Sequence, residues 1–218
     1  MGGAIEADIE GQGPQSFDHV LVAVGRRALS GGLGLETTKA TIDERGVIST
    51  DERCRTAYPH IYAVGDVTGG PMLAHRAMRQ GKVAAEAIAG RPSAFDNAAV
   101  PAVVFTDPEV GWCGLMEADA RRAGLAIKVA KFSWAASGRA ATIGRSDGLT
   151  KLIVETASGR VVGAGIVGPG AGELIAEAVL AIETAVTAED LALTIHAHPT
   201  LSESLMEAAE SLLRGGTQ

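Results

Sequence analysis

Cysteine is scarce. Two cysteines in 218 residues cannot build a disulfide framework. Cys54 and Cys113 match neither a CxxC redox pair nor a metal knuckle. The reading that suits them is two reduced thiols packed as small apolar groups. Aromatic residues make up only 4% of the chain, too few for a stacking surface that reads nucleic acid. The net charge is −7 and no basic run stands out, which argues against a polyanion partner. No apolar run approaches the roughly 20 residues of a membrane span. The opening Met1-Gly2-Gly3-Ala4-Ile5-Glu6 lacks the basic and apolar regions of a signal peptide. Glu6 also stands where a myristoylation pattern needs Ser or Thr. These absences point to a cytoplasmic protein that takes neither nucleic acid nor membrane as partner.

What remains is an apolar share of 46%, rich in Ala and Gly, enough for one large domain or two modest ones. Residues 4–9 alternate, Gly11-Gln12-Gly13-Pro14 turns, and His19–Gly25 reads as a buried strand. A hairpin is marginal by itself, so this region reads as the tail of something larger. Gly46–Thr50 and Ile61–Asp66 are expected as short strands, and an apolar stripe of Leu73, Ala77, Val83, Ala84, Ala87 and Ile88 predicts a helix over 73–89. Gly90-Arg91-Pro92-Ser93 stops it and makes a linker. Beyond about residue 98, strands are predicted at 101–105, 110–114, 126–133, 149–155 and 160–167, with helices at 116–123, 171–184 and 202–213. Strands in runs followed by helices indicate an α+β unit rather than βαβ alternation.

Four segments carry candidate chemistry. His196-Ala197-His198-Pro199-Thr200-Leu201-Ser202-Glu203 sets His198 and Glu203 across a Pro-Thr turn. A carboxylate on one ring nitrogen fixes the tautomer and raises the basicity of the other, which makes a proton acceptor suited to thiol chemistry. Thr200-x-x-Glu203 is equally a capping box that opens the last helix, and the two readings are compatible. Ala63-Val64-Gly65-Asp66 ends in a glycine that allows close backbone approach and a carboxylate placed to accept from ligand hydroxyls, or simply in a turn. Gly70-Pro71-Met72-Leu73-Ala74-His75 opens a helix, whose first amides form an electropositive end. Gly163-Ala164-Gly165-Ile166-Val167-Gly168 spells GxGxxG but fails as a dinucleotide fingerprint. Its glycines fall within a strand, Pro169 interrupts the helix start, and Glu183 lies inside the next helix pattern.

Taken together, these residues resemble a family. Thr56-x-Tyr58-Pro59-x-Ile61-Tyr62-Ala63-Val64-Gly65-Asp66 looks like the second FAD-binding motif of the flavoprotein disulfide reductases, and Gly70–His75 is similar to the form found in dihydrolipoamide dehydrogenases. Val22-Ala23-Val24-Gly25-Arg26-Arg27 resembles the close of their NAD domain, although Ala28 replaces a usual proline. Val103-Phe105-Thr106-x-Pro108-Glu109 and Ser137-Gly138-Arg139-Ala140 resemble their interface domain, and His198-Pro199-Thr200-x-x-Glu203 their proton-acceptor motif. The resemblance implies the carboxyl-terminal half of such an enzyme: the end of an NAD-binding domain (1–25), the second part of an α/β FAD-binding domain (26–95) and an α+β interface (dimerisation) domain (96–218). It implies oxidation of dihydrolipoamide to lipoamide, with electrons passing through FAD to NAD. His198 would be the base and Glu203 its orienter. Gly65 and Asp66 with Met72, Leu73, Ala74 and His75 would face the flavin. It further implies a homodimer through residues 96–218, a lipoyl domain of a 2-oxo acid dehydrogenase complex as partner, and a cis His198–Pro199 bond. The family's first FAD-binding glycine motif, its C-x4-C pair and its NAD-binding glycine motif do not occur in the sequence, so the isolated chain is expected to be inactive. A related reductase of the glutathione or mercuric type, and a non-catalytic dimerisation module, are the alternatives.

Overall fold

The computed structural model describes residues 3–214. Met1 and Gly2 of the amino-terminal stretch, and residues 215–218 at the end of the expected interface domain, lie outside them. The chain forms two compact units, Met1–Phe95 and Asp96–Gln218.

The first unit opens with an antiparallel hairpin of β1 (Ile5–Ile9) and β2 (Gly13–Phe17), in which Ile5 faces Phe17. Its one long helix is α1 (Ala74–Ile88), buried through Gln80, Val83 and Ala84. Two small clusters form the core: Leu35, Ile48 and Ala63, and separately Cys54, Val83 and Ala84 with Tyr62 and Phe95 against them. Two sequence expectations fail here. Residues 19–25 are not a strand, and Leu21 and Val24 are 91% and 94% exposed. Such a run becomes a buried strand only when sheet neighbours take up its amides and carbonyls, and no strand among the described residues pairs with it. The expected strands at 46–50 and 61–66 are reduced to single bridges, Ile42 with Ile48 and Arg55 with Tyr62, and Gly65–Thr68 winds into a 3-10 turn.

The second unit is a five-stranded antiparallel sheet. Its members are β3 (Ala102–Val104), β4 (Val110–Gly114), β5 (Ile127–Ser133), β6 (Leu149–Glu155) and β7 (Val161–Val167), in the order β3-β4-β7-β6-β5. Between and after them come α2 (Glu117–Arg122), α3 (Gly138–Thr142), α4 (Ala171–Glu183), α5 (Ala188–Leu193) and α6 (Glu203–Arg214). Helix α4 lies against β4 and β7, α6 lies against β5 and β6, and α5 lies beside α6. The core between sheet and helices contains Leu152, Ile166, Ile175 and Leu205, with Trp134 fully buried. The Trp134 indole donates to Thr150 Oγ1 at 3.0 Å, and the Thr150 hydroxyl donates to Ser204 Oγ at 2.8 Å. This dry chain of hydrogen bonds ties β6 to α6 and leaves none of its polar atoms unmet. Gly148 and Gly168 press on the indole, where an added Cβ would come to 2.2 and 2.3 Å of ring carbons. Gly163–Val167 of the GxGxxG stretch lie in β7, paired antiparallel on both sides, with Gly168 just past its end, so the stretch is a packing device rather than a phosphate loop.

Candidate active site

Helix α5 delivers the chain to the first group of candidate residues. Thr187 and Asp190 cap its start reciprocally, and Thr194 at its end donates to the Asp190 carbonyl at 2.8 Å. The backbone then runs without regular structure through His196 to a cis His198–Pro199 peptide, as the resemblance implies. Thr200 Oγ1 closes the turn by donating to the Ala197 carbonyl at 2.7 Å.

Glu203 stands where α6 begins. One of its oxygens accepts from the Thr200 amide at 2.7 Å, and the other lies 2.9 Å from Nδ1 of His198. One carboxylate therefore makes both contacts, to the Thr200 amide and to the His198 ring. The capping box is half of the usual pair, because the Thr200 hydroxyl is turned to Ala197 rather than to a helix amide. The Thr200 amide first, and the His198 hydrogen bond second, hold the Glu203 carboxyl below its ordinary range, so it stays ionised at neutral pH. The ionised oxygen can only accept, so Nδ1 of His198 carries a hydrogen, and in the neutral ring the lone pair falls on Nε2. The His198 side chain is 78% exposed and that of Glu203 is 19% exposed. The Glu203 carboxylate is thus the sheltered partner, while the His198 ring stands open to solvent.

The second group sits in the first unit. Gly65 is buried at φ 77°, and a Cβ there would meet that of Ala77 at 3.0 Å, so glycine allows the 3-10 turn to lie on α1. The Gly65 amide donates to Gln80 Oε1 at 2.7 Å, and Gln80 Nε2 donates to Thr68 Oγ1 at 3.3 Å. Asp66 is thus presented on a clamped turn. Its Oδ2 accepts from Arg26 Nη1 at 3.2 Å, and the other end of that guanidinium donates to the Met72 carbonyl. Arg26 thereby joins the Asp66 turn to the segment opening α1. No side chain caps α1, and its first turn holds no acidic residue, so Leu73, Ala74 and His75 make an electropositive end. Arg26, Arg45, Ser30 and Met72 help line a cleft of about 690 Å³.

Sequence reasoning missed two features. Gln80 is a polar residue on the buried face of α1, a signal legible in the stripe Ala77, Gln80, Val83, Ala84. Glu177 on α4 receives Nε2 of His196 at 2.6 Å, and nothing in its local pattern marks it out.

Comparison with known proteins places the chain in a family. Residues 100–209 match the pyridine nucleotide-disulphide oxidoreductase dimerisation domain, and residues 5–81 match the pyridine nucleotide-disulphide oxidoreductase model. The chain belongs to the pyridine nucleotide-disulphide oxidoreductase family. Within the family it is 54% identical to dihydrolipoyl dehydrogenase of Geobacillus stearothermophilus over 196 residues, covering 90% of this chain and 42% of that protein. The Haloferax volcanii dihydrolipoyl dehydrogenase is 53% identical, with 90% and 42% covered. The chain spans well under half the length of the curated relatives it matches. Among solved structures, LpdA of Mycobacterium tuberculosis aligns with a TM-score of 0.85 at 30% identity, covering 93% of this chain and 44% of that one. The HOCl-induced flavoprotein disulfide reductase RclA of Escherichia coli aligns at 0.83 and 28% identity, with 92% and 46% covered.

Proposed function

We propose that this chain forms the carboxyl-terminal part of a dihydrolipoyl dehydrogenase, the component of 2-oxo acid dehydrogenase complexes that oxidises dihydrolipoamide to lipoamide and reduces NAD. Residues 1–25 would end the NAD-binding domain, 26–95 would be the second part of the FAD-binding domain, and 96–218 the interface domain of a cytoplasmic homodimer. The observation that carries the reading is the His198 Nδ1 to Glu203 contact of 2.9 Å with the His198 ring exposed. The nucleophile in disulfide exchange is a thiolate, so a base must take the thiol proton. His198 Nε2 accepts that proton, and the Glu203 carboxylate keeps Nδ1–H in place and stabilises the resulting imidazolium.

The first unit fits half of a flavin site. Asp66 offers carboxylate oxygens to cofactor hydroxyls once Arg26 yields one of them, and the uncapped start of α1 favours an electron-rich group. FAD, when bound, supplies the two-electron step between a dithiol and NAD. Neither Cys54 nor Cys113 supplies the dithiol, since each is buried and unpaired. Burial pushes the Cys113 thiol up to about 12, which keeps it inert.

The test is turnover of full-length enzyme carrying this sequence. His198→Gln should lower kcat by about 10²–10⁴-fold, the usual worth of general base catalysis, with flavin absorbance intact. Glu203→Gln should cost less, because it removes the orienter and leaves the base. Unchanged turnover in His198→Gln would sink the assignment.

A further inference from the structure

Glu177 and His196 make a second histidine–carboxylate pair, which the proposed reaction does not use. We propose that this pair is a positioning device for His198: it clamps the chain two residues ahead and so holds the imidazole on Glu203. The inference rests on His198 being the proton acceptor.

Hydrogen-bond supply sets the charge of this pair. His196 Nε2 lies 2.6 Å from Glu177 Oε1, and its Nδ1 lies 2.9 Å from the Thr194 carbonyl. Both partners are acceptors. A neutral imidazole has one N–H, so only the imidazolium meets both. Its side chain is 6% exposed, and a charge that buried persists only when paired. Burial opposes the charge, but the Glu177 hydrogen bond, the Thr194 carbonyl and the negative charges of Glu177 and Glu203 outweigh it and raise the ring's proton affinity. Glu177 comes from α4, and Glu203 from the start of α6.

The neighbouring side chains show why an anchor is needed. Leu193 and Ile195 are 74% and 97% exposed, so apolar packing within this chain does not hold the segment. His196 ties it to α4 instead. From there Thr200 donates back to Ala197, Glu203 accepts from the Thr200 amide, and His198 completes the ring of contacts on the other Glu203 oxygen. Releasing His196 frees the amino-terminal side of this closed loop and leaves it held only from the Thr200 and Glu203 side.

Long-range 15N–1H spectra of the imidazoles, recorded on the purified chain across the titration, read both rings separately. In the native chain His198 should be dominated by the Nδ1–H tautomer. In Glu177→Gln, His196 should lose its proton at least about tenfold more readily, a shift of one pKa unit. His198 should then lose its Nδ1–H preference several-fold while the circular dichroism stays native. If Glu177→Gln does not fold, His196→Ala carries the His198 part of the measurement, since it removes both hydrogen bonds of the anchor. A folded variant whose His198 tautomer and titration are unmoved would overturn the inference. Unfolding of both variants would also overturn it, by assigning the pair to stability alone. If native His198 already shows the tautomer mixture of free imidazole, the acceptor reading itself fails, and the inference fails with it.

Discussion

Single residues in the second unit carry sharply unequal burdens, and Thr150 shows how. Its hydroxyl accepts the Trp134 indole N–H and donates to Ser204, all with the three residues at most 2% exposed. Thr150→Val keeps the shape but strands a buried indole donor, so unfolding free energy should fall by about 1–3 kcal/mol. Urea denaturation with an unchanged slope and a lower midpoint would show it, whereas an unmoved midpoint would mean that water reaches the indole. His196 gives a pH dependence of known sign. Its folded-state proton affinity is raised, so its contribution is fully present below the ordinary imidazole value of about 6.5 and is lost as pH rises through the folded value. Glu203 runs the other way. Its folded value is lowered, so its contribution is present above the ordinary carboxylate range and is lost as pH falls. Thermal melts of the chain should therefore decline from neutral pH upward, and Glu177→Gln should flatten that decline. A native melt independent of pH in the alkaline direction would count against a charged His196.

At the scale of elements, α6 is the piece that joins core to site. It buries Ser204, Leu205, Ala208 and Ala209 while its first residue orients His198. Leu205→Ala should cost about 2–5 kcal/mol, because a fully buried leucine leaves a cavity under the sheet. The measurement is equilibrium denaturation, and the same variant should broaden the His198 imidazole signals by loosening Glu203. The strands of this unit are legible from their sequence because they carry apolar residues for the core whichever neighbour they take: β7 sends Val161, Ala164 and Ile166 into it. Residues 19–25 were misread for the converse reason. Apolar density states that a segment could be buried, not that a partner strand is there to pair with it. Helices α3 and α5 are set by caps at Ser137 and Thr187 rather than by an apolar stripe, so apolar periodicity does not reveal them. The dyad was legible because its members are local in sequence. The His196–Glu177 pair was not, since it joins residues 19 apart on different elements.

The whole molecule poses a question of completeness and one of association. Hydride transfer to NAD needs a dithiol and a flavin, and the two buried cysteines provide no dithiol. The purified chain with added FAD, dihydrolipoamide and NAD should therefore show only background reduction, and clear turnover would show that the missing chemistry lies within these residues after all. Association follows from what the second unit leaves uncovered. Phe105, Leu180, Leu193 and Ile195 are 81%, 62%, 74% and 97% exposed, although a sheet-and-helix core is available to bury apolar side chains. Large exposed apolar side chains such as these suit a surface that another molecule covers, and a second copy of the same surface is the simplest closed solution. This unit is also the one that matches the family's dimerisation domain. Light scattering at micromolar concentration should give twice the chain mass of 22.3 kDa, and Ile195→Glu should shift the equilibrium toward monomer by placing a charge in that surface. His198 lies three residues from Ile195, so the monomeric variant would hold its basic nitrogen in open water. A stable native monomer would leave Phe105 and Ile195 unexplained and would remove the dimer from the proposed function.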